Sequence, residues 1–140
     1  MYKYLEHGAD VGIWASGHTL EEAFVEGAIA TFGVMTDIAG VEPTKKVEIS
    51  CSSTSIPSLF VEWLNELISM ADMETMFFSR FKINKLSLVH GLYRLEAEAF
   101  GERIDQEKHT IKTEVKAATY YGLKYETKGN EHILQCVVDV

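Results

Sequence analysis

Apolar and polar positions along the chain change period several times, and each change marks an element. Tyr2-Lys3-Tyr4-Leu5 alternates and predicts a short strand. Glu6-His7-Gly8-Ala9-Asp10 interrupts it with a glycine and small residues. Val11-Gly12-Ile13-Trp14-Ala15 then resumes the alternation, with Val11, Ile13 and Ala15 on one face, and Ser16-Gly17-His18 predicts a turn. From Leu20 the period lengthens: Leu20, Ala23, Phe24, Ala28, Thr31, Phe32 and Met35 follow the spacing of an amphipathic helix. Thr19 opens it with a capping box, in which its hydroxyl and the Glu22 carboxylate satisfy free amides at the helix start. Gly27 lies on the same stripe, so another element is expected to approach closely there.

Lys46 to Cys51 alternates cleanly, with Val47, Ile49 and Cys51 inward. A Ser/Thr turn follows, and Pro57 suits the first turn of a second helix. Its wide apolar stripe (Ile56, Leu59, Phe60, Trp63, Leu64, Leu67, Ile68, Ala71) runs to about residue 72. Beyond Met76 the period is two. Strands are expected over Phe77–Ile83, Lys85–Val89 and Leu92–Phe100, with Gly101 turning the chain. Ile111 to Ala117 and Thr119 to Tyr125 alternate again, Gly129-Asn130 signals a hairpin, and His132 to Val140 closes the chain. This order predicts an α+β fold: one domain over residues 1–140, two main helices packed on a largely antiparallel sheet.

Composition narrows the classes. With 46% hydrophobic and 24% charged residues in 140, the chain has ordinary globular usage. The net charge of −8 opposes autonomous nucleic-acid binding or attachment to an anionic membrane. Most of that charge lies in residues 1–70, where three Lys/Arg face ten Asp/Glu, a half suited to steering a basic partner. No apolar run approaches the roughly 20 residues of a spanning helix, and the first residues lack a signal peptide's apolar stretch. Cys51 and Cys136 fit no metal spacing and read as reduced core thiols, so a cytoplasmic location is expected. Met70, Met73 and Met76 read as core gap-fillers.

Familiar catalytic devices are missing. The chain has no phosphate-binding GxxxxGK[ST], no GxGxxG, no GxSxG, no HExxH and no paired CxxC. Asp10 lies in the glycine-broken turn, and Asp139 at the tip of the apolar strand Cys136-Val137-Val138-Asp139-Val140. With the Val140 terminal carboxylate beside it, two or three carboxylates would repel unless a cation or a lysine neutralised them. Such an oxygen-rich set suits Ca²⁺ or Mg²⁺. Lys116 is a candidate counter-charge or phosphate contact, and His7, three residues before Asp10, a candidate neighbour. The plainer alternatives are a solvated chain end at Asp139 and a backbone-capping aspartate at Asp10.

The ordered blocks of this sequence resemble the archease family. Tyr4-Leu5-Glu6-His7-Gly8-Ala9-Asp10-Val11-Gly12 is similar to its N-terminal signature, followed by Thr19-Leu20-Glu21-Glu22-Ala23-Phe24 and Met35-Thr36-Asp37. Trp63-Leu64-Asn65-Glu66-Leu67, Lys116-Ala117-Ala118-Thr119-Tyr120 and Val138-Asp139-Val140 complete the likeness over essentially the whole chain. Gly8 replaces the family's usual threonine, and Tyr121 stands where many members carry histidine. The resemblance implies an accessory protein, not a stand-alone enzyme. Its expected role is to promote guanylylation and multiple turnover of an RtcB-type RNA ligase in tRNA splicing and repair. Chaperoning of a tRNA methyltransferase is the other role known in the family. It further implies divalent-ion binding at Asp10 and Asp139 and a functional role for Lys116.

Overall fold

The computed structural model describes residues 1–140. Its elements run β1 (Tyr2–His7), β2 (Asp10–Gly17), α1 (Leu20–Met35), a 3-10 turn (Ile38–Gly40), β3 (Lys45–Ser53), α2 (Ile56–Glu74), β4 (Met76–Val89), β5 (Leu92–Arg103), β6 (Ala117–Lys128) and β7 (Glu131–Asp139). The fold is α+β, with the strands in two sheets rather than one: β1-β2-β7-β6 and β3-β5-β4. Every pairing is antiparallel. Each helix packs against strands of both sheets. The final strand, β7, lies inside its sheet, between the strand that opens at Asp10 and the strand that opens at Ala117.

Local chemistry accounts for the helices. The Thr19 hydroxyl accepts from Glu22 N at 3.1 Å, while the Glu22 carboxylate accepts from His18 N at 2.9 Å, one residue ahead of the cap. Ser55 caps α2 and Pro57 sits in its first turn. The two helices lock where the apolar stripes meet. A Cβ at Gly27 would overlap the Phe60 ring, so glycine is what lets that ring sit against α1. The indole N–H of Trp63 donates to the Phe24 carbonyl at 2.9 Å, and Trp63, Phe24, Phe32, Phe60 and Phe78 are fully buried. The Cys136 thiol is buried and Cys51 half-buried; burial pushes both up to about 12, so neither is a ready thiolate.

Four expectations change. The two strands predicted on either side of Asn84 are one strand, β4, bent by irregularities at Phe78/Arg80 and Ile83/Lys85. Gly101 does not turn the chain; it lies within β5, where a Cβ would overlap the Phe77 carbonyl oxygen. Residues 111–116 alternate but form no strand. Their backbone instead tethers to the end of α1, with Lys112 N donating to the Met35 carbonyl and Thr113 N to that of Val34. Met73, expected in the core, is 70% exposed, leaving Met76 as the buried methionine of the three.

Candidate functional site

The chain's two outlying aspartates meet at one end of the four-stranded sheet. The β2–β7 ladder ends at the pair Val11–Val138, so Asp10 and Asp139, each one residue further, face one another. Asp10 also pairs with His7 across the first hairpin, and Asp139 with Ala117 across the last. Opposed residues of an antiparallel ladder share a face. Val11 and Val138 point to the core, which puts His7, Asp10, Asp139 and Ala117 in one row on the outer face. The hairpin that aims Asp10 turns on Gly8-Ala9. Gly8, at φ +65°, takes the left-handed first position of a two-residue turn.

Hydrogen bonds fix this tip. The Asp10 carboxylate accepts from Val140 N at 3.3 Å, tying the first hairpin to the end of β7. Lys116 N donates to the Asp139 carbonyl at 2.8 Å, extending the β6–β7 ladder by one residue. Asn65 of α2 grips the same edge. Its amide donates to the Ala118 carbonyl at 2.9 Å and accepts from Ala118 N at 2.8 Å, standing in for a neighbouring strand. These contacts hold the backbone of residues 116–118 against both β7 and α2.

Lys116 departs from the sequence reading in one respect. It precedes β6, is exposed, and takes part in none of the protein's ion pairs, so it is not the counter-charge of the aspartates. It lines instead a groove of about 820 Å³ between α2 and residues 104–116, beside Asn65, Ser69, Asp72 and Val115. His7 meets no carboxylate either; its ring stands edge-on to Tyr121, 4.9 Å between centroids.

The two aspartates at the tip offer oxygen donors, the chemistry of a hard divalent cation, while the His7 ring beside them is packed on Tyr121. No three His, Cys, Asp or Glu side chains converge here or elsewhere in the chain. Two aspartates, one of them already accepting a backbone N–H, fit an ion that keeps several coordination positions for water or phosphate oxygen, as Mg²⁺ does.

A second polar cluster escaped sequence reading. His109 is buried; its Nδ1 accepts from Asp105 N at 2.9 Å, and its Nε2 lies 3.0 Å from the Glu102 carboxylate. Glu102 also accepts from Glu42 N at 2.8 Å and from the Lys108 ammonium at 2.9 Å. The Glu42 N–H first, then His109 and Lys108, hold its carboxyl down to about 2. This network anchors residues 105–109, from which the chain runs on to Lys116. A histidine four residues after an aspartate carries no sequence pattern that would announce it.

The comparisons with known proteins agree in direction. The model of the Archease protein family matches residues 2–140. Protein archease of Sulfurisphaera tokodaii is 41% identical over 139 residues, covering 99% of this chain and 98% of that one. Protein archease of Methanosarcina acetivorans is 36% identical, covering 99% and 95%. A solution structure of a Methanobacterium thermoautotrophicum protein superposes with a TM-score of 0.87 at 34% identity, over 99% of this chain and 98% of that one. The crystal structure of an archease and possible chaperone from Thermotoga maritima has a TM-score of 0.60 at 21% identity over 100% and 98%, a likeness of fold. With a shared fold and a family match spanning nearly every residue, the chain belongs to the archease family.

Proposed function

We propose that this chain is an accessory protein that promotes guanylylation and multiple turnover of an RtcB-type RNA ligase through its aspartate-bearing tip. The single observation that carries the reading is the register that sets Asp10 opposite Asp139 at a half-buried sheet end. Membership in a family whose members include one described as a possible chaperone supports an accessory role.

In this reading Asp10 and Asp139, with the Val140 carboxylate, hold a divalent ion, Mg²⁺ or Ca²⁺, at the mouth of the ligase active site. The ion supplies positive charge for the nucleotide phosphates. The chain's own residues do the rest. Asp10 is held by Val140 N, so its second oxygen keeps its aim. Lys116, in no ion pair, is joined to Asp139 through its backbone N–H, and in this reading its ammonium meets a phosphate. The Asn65 clamp holds the backbone at Ala118, two residues past Lys116. The net charge of −8 speeds encounter with a basic RNA-handling enzyme, so stimulation weakens as salt rises.

The test is guanylylation of the ligase with GTP, with and without this protein. Wild type accelerates it; Asp10→Ala and Asp139→Ala, folded as judged by circular dichroism, do not. Full stimulation by either variant overturns the site assignment. Stabilisation of a tRNA methyltransferase with no effect on the ligase would replace the partner.

A further inference from the structure

Strand β6 departs from its partner at one place. Thr119 pairs with Val137 and Lys124 with Gln135, so four residues, Tyr120 to Leu123, face the single residue Cys136. An ordinary bulge adds one residue; this one adds three. The surplus chain folds over the outer face, where Gly122, at φ +65°, lies against Val137, which is 3% exposed. What the bulge presents outward is a pair of rings. Tyr121 is 68% and Tyr120 55% exposed, more than any other aromatic side chain of the protein.

Neither ring is loose. Tyr121 stands edge-on against His7, the ladder partner of Asp10. The Tyr120 hydroxyl donates to the Glu62 carboxylate of α2 at 2.6 Å. Both rings are thus held beside the aspartate tip while most of their surface stays in water. Fixed, exposed tyrosines dominate the energetics of protein interfaces, because they offer large contact area and lose few rotamers on binding. Acidic groups outnumber basic ones around them: Asp10, Asp139 and Glu62 against Lys116 and Lys124, the latter already 3.9 Å from Glu126. That charge disfavours RNA and favours a surface lined with arginine or lysine.

We infer that the bulge Tyr120–Leu123 is a docking element, with Tyr121 its anchor, for an Arg/Lys-lined recess on the partner protein next to where the aspartates act. The inference rests on the ligase reading above and adds to it the determinant of affinity. Tyr121 supplies binding, while Asp10 and Asp139 supply stimulation.

The experiment titrates the ligase with full-length wild type, Tyr121→Ala, Tyr121→Phe and, as a distant control, Leu88→Ala at the exposed end of β4. Binding is read by calorimetry, and stimulation by the concentration giving half its maximum. Tyr121→Ala is expected to weaken binding about tenfold or more and to raise that concentration in parallel, with the plateau retained. Tyr121→Phe, which keeps the ring, and Leu88→Ala are expected to bind as wild type does. Unchanged affinity in Tyr121→Ala overturns the anchor and leaves the ligase reading standing. Tighter binding of wild type to single-stranded RNA than to the ligase overturns the choice of partner surface. Stimulation by Asp139→Ala at saturating concentration instead overturns the reading on which the inference depends.

Discussion

Replacing Asn65 with alanine tests how the tip is held. The substitution removes two hydrogen bonds to the backbone of Ala118, a residue only 5% exposed. Each bond contributes about 1 kcal/mol net, and leaving the Ala118 N–H and C=O without partners costs more than the bonds themselves, about 1–3 kcal/mol per stranded group when buried. These groups lie at a strand edge that water can partly reach, so the loss comes to about 2–4 kcal/mol. A chain of 140 residues has an unfolding entropy of roughly 0.3 kcal/mol/K near its midpoint, so each kcal/mol moves Tm by about 3 °C. Scanning calorimetry should therefore show Tm lowered by about 7–13 °C. Hydrogen exchange should show the Ala118 amide losing protection. Asn65→Asp keeps the acceptor for Ala118 N–H but sets a charge against the Ala118 carbonyl; acidification, which restores an O–H donor, should narrow its deficit. A Tm drop below about 2 °C, or an Ala118 amide as protected as in wild type, would refute the idea that this side chain substitutes for a strand.

Three further outcomes are expected. Gly27→Ala forces a methyl into the fully buried Phe60 ring and should cost about 1–3 kcal/mol in urea unfolding; an unaffected midpoint would mean the helices separate freely. Glu102 is depressed in the folded state from 4.5 to about 2, so its contribution is complete above about pH 4.5 and lost as pH falls toward 2. Glu102→Gln should flatten the pH dependence of stability in that window, and a parallel profile would sink the assignment. Asp139→Ala should keep a Tm near that of wild type while losing stimulation of the ligase, since its carboxylate serves no folding contact; a large Tm loss would make it a structural residue.

What could be read from the sequence divides by range. The Thr19 cap, the Pro57 helix start and the Gly129-Asn130 hairpin depend on neighbours a few residues away, and the chain states them directly. The stripe containing Gly27 announced a close approach, though not that Phe60 makes it. Gly101 misleads because a turn and a crossing strand leave the same mark, a missing Cβ. The run from Ile111 to Val115 alternates, yet its backbone is claimed by the carbonyls of Val34 and Met35, seventy-odd residues away. The division of strands into two sheets depends likewise on distant pairings, as does the Glu42 N–H that joins the Glu102–His109 cluster. The tip is legible only as two misplaced carboxylates; no local pattern in the sequence sets Lys116 ahead of β6, along α2's groove and outside any ion pair.

The place of β7 has a consequence for biosynthesis. β7 leaves the ribosome after both of its neighbours and must slide between two strands already made, with hydrogen bonds to each side. Until it arrives, β2 and β6 present bare edges that invite foreign strands. A nascent chain stalled short of Glu131 therefore carries Asp10 without its counterpart and is prone to aggregate. Only a chain that has reached and inserted β7 sets Asp139 opposite Asp10.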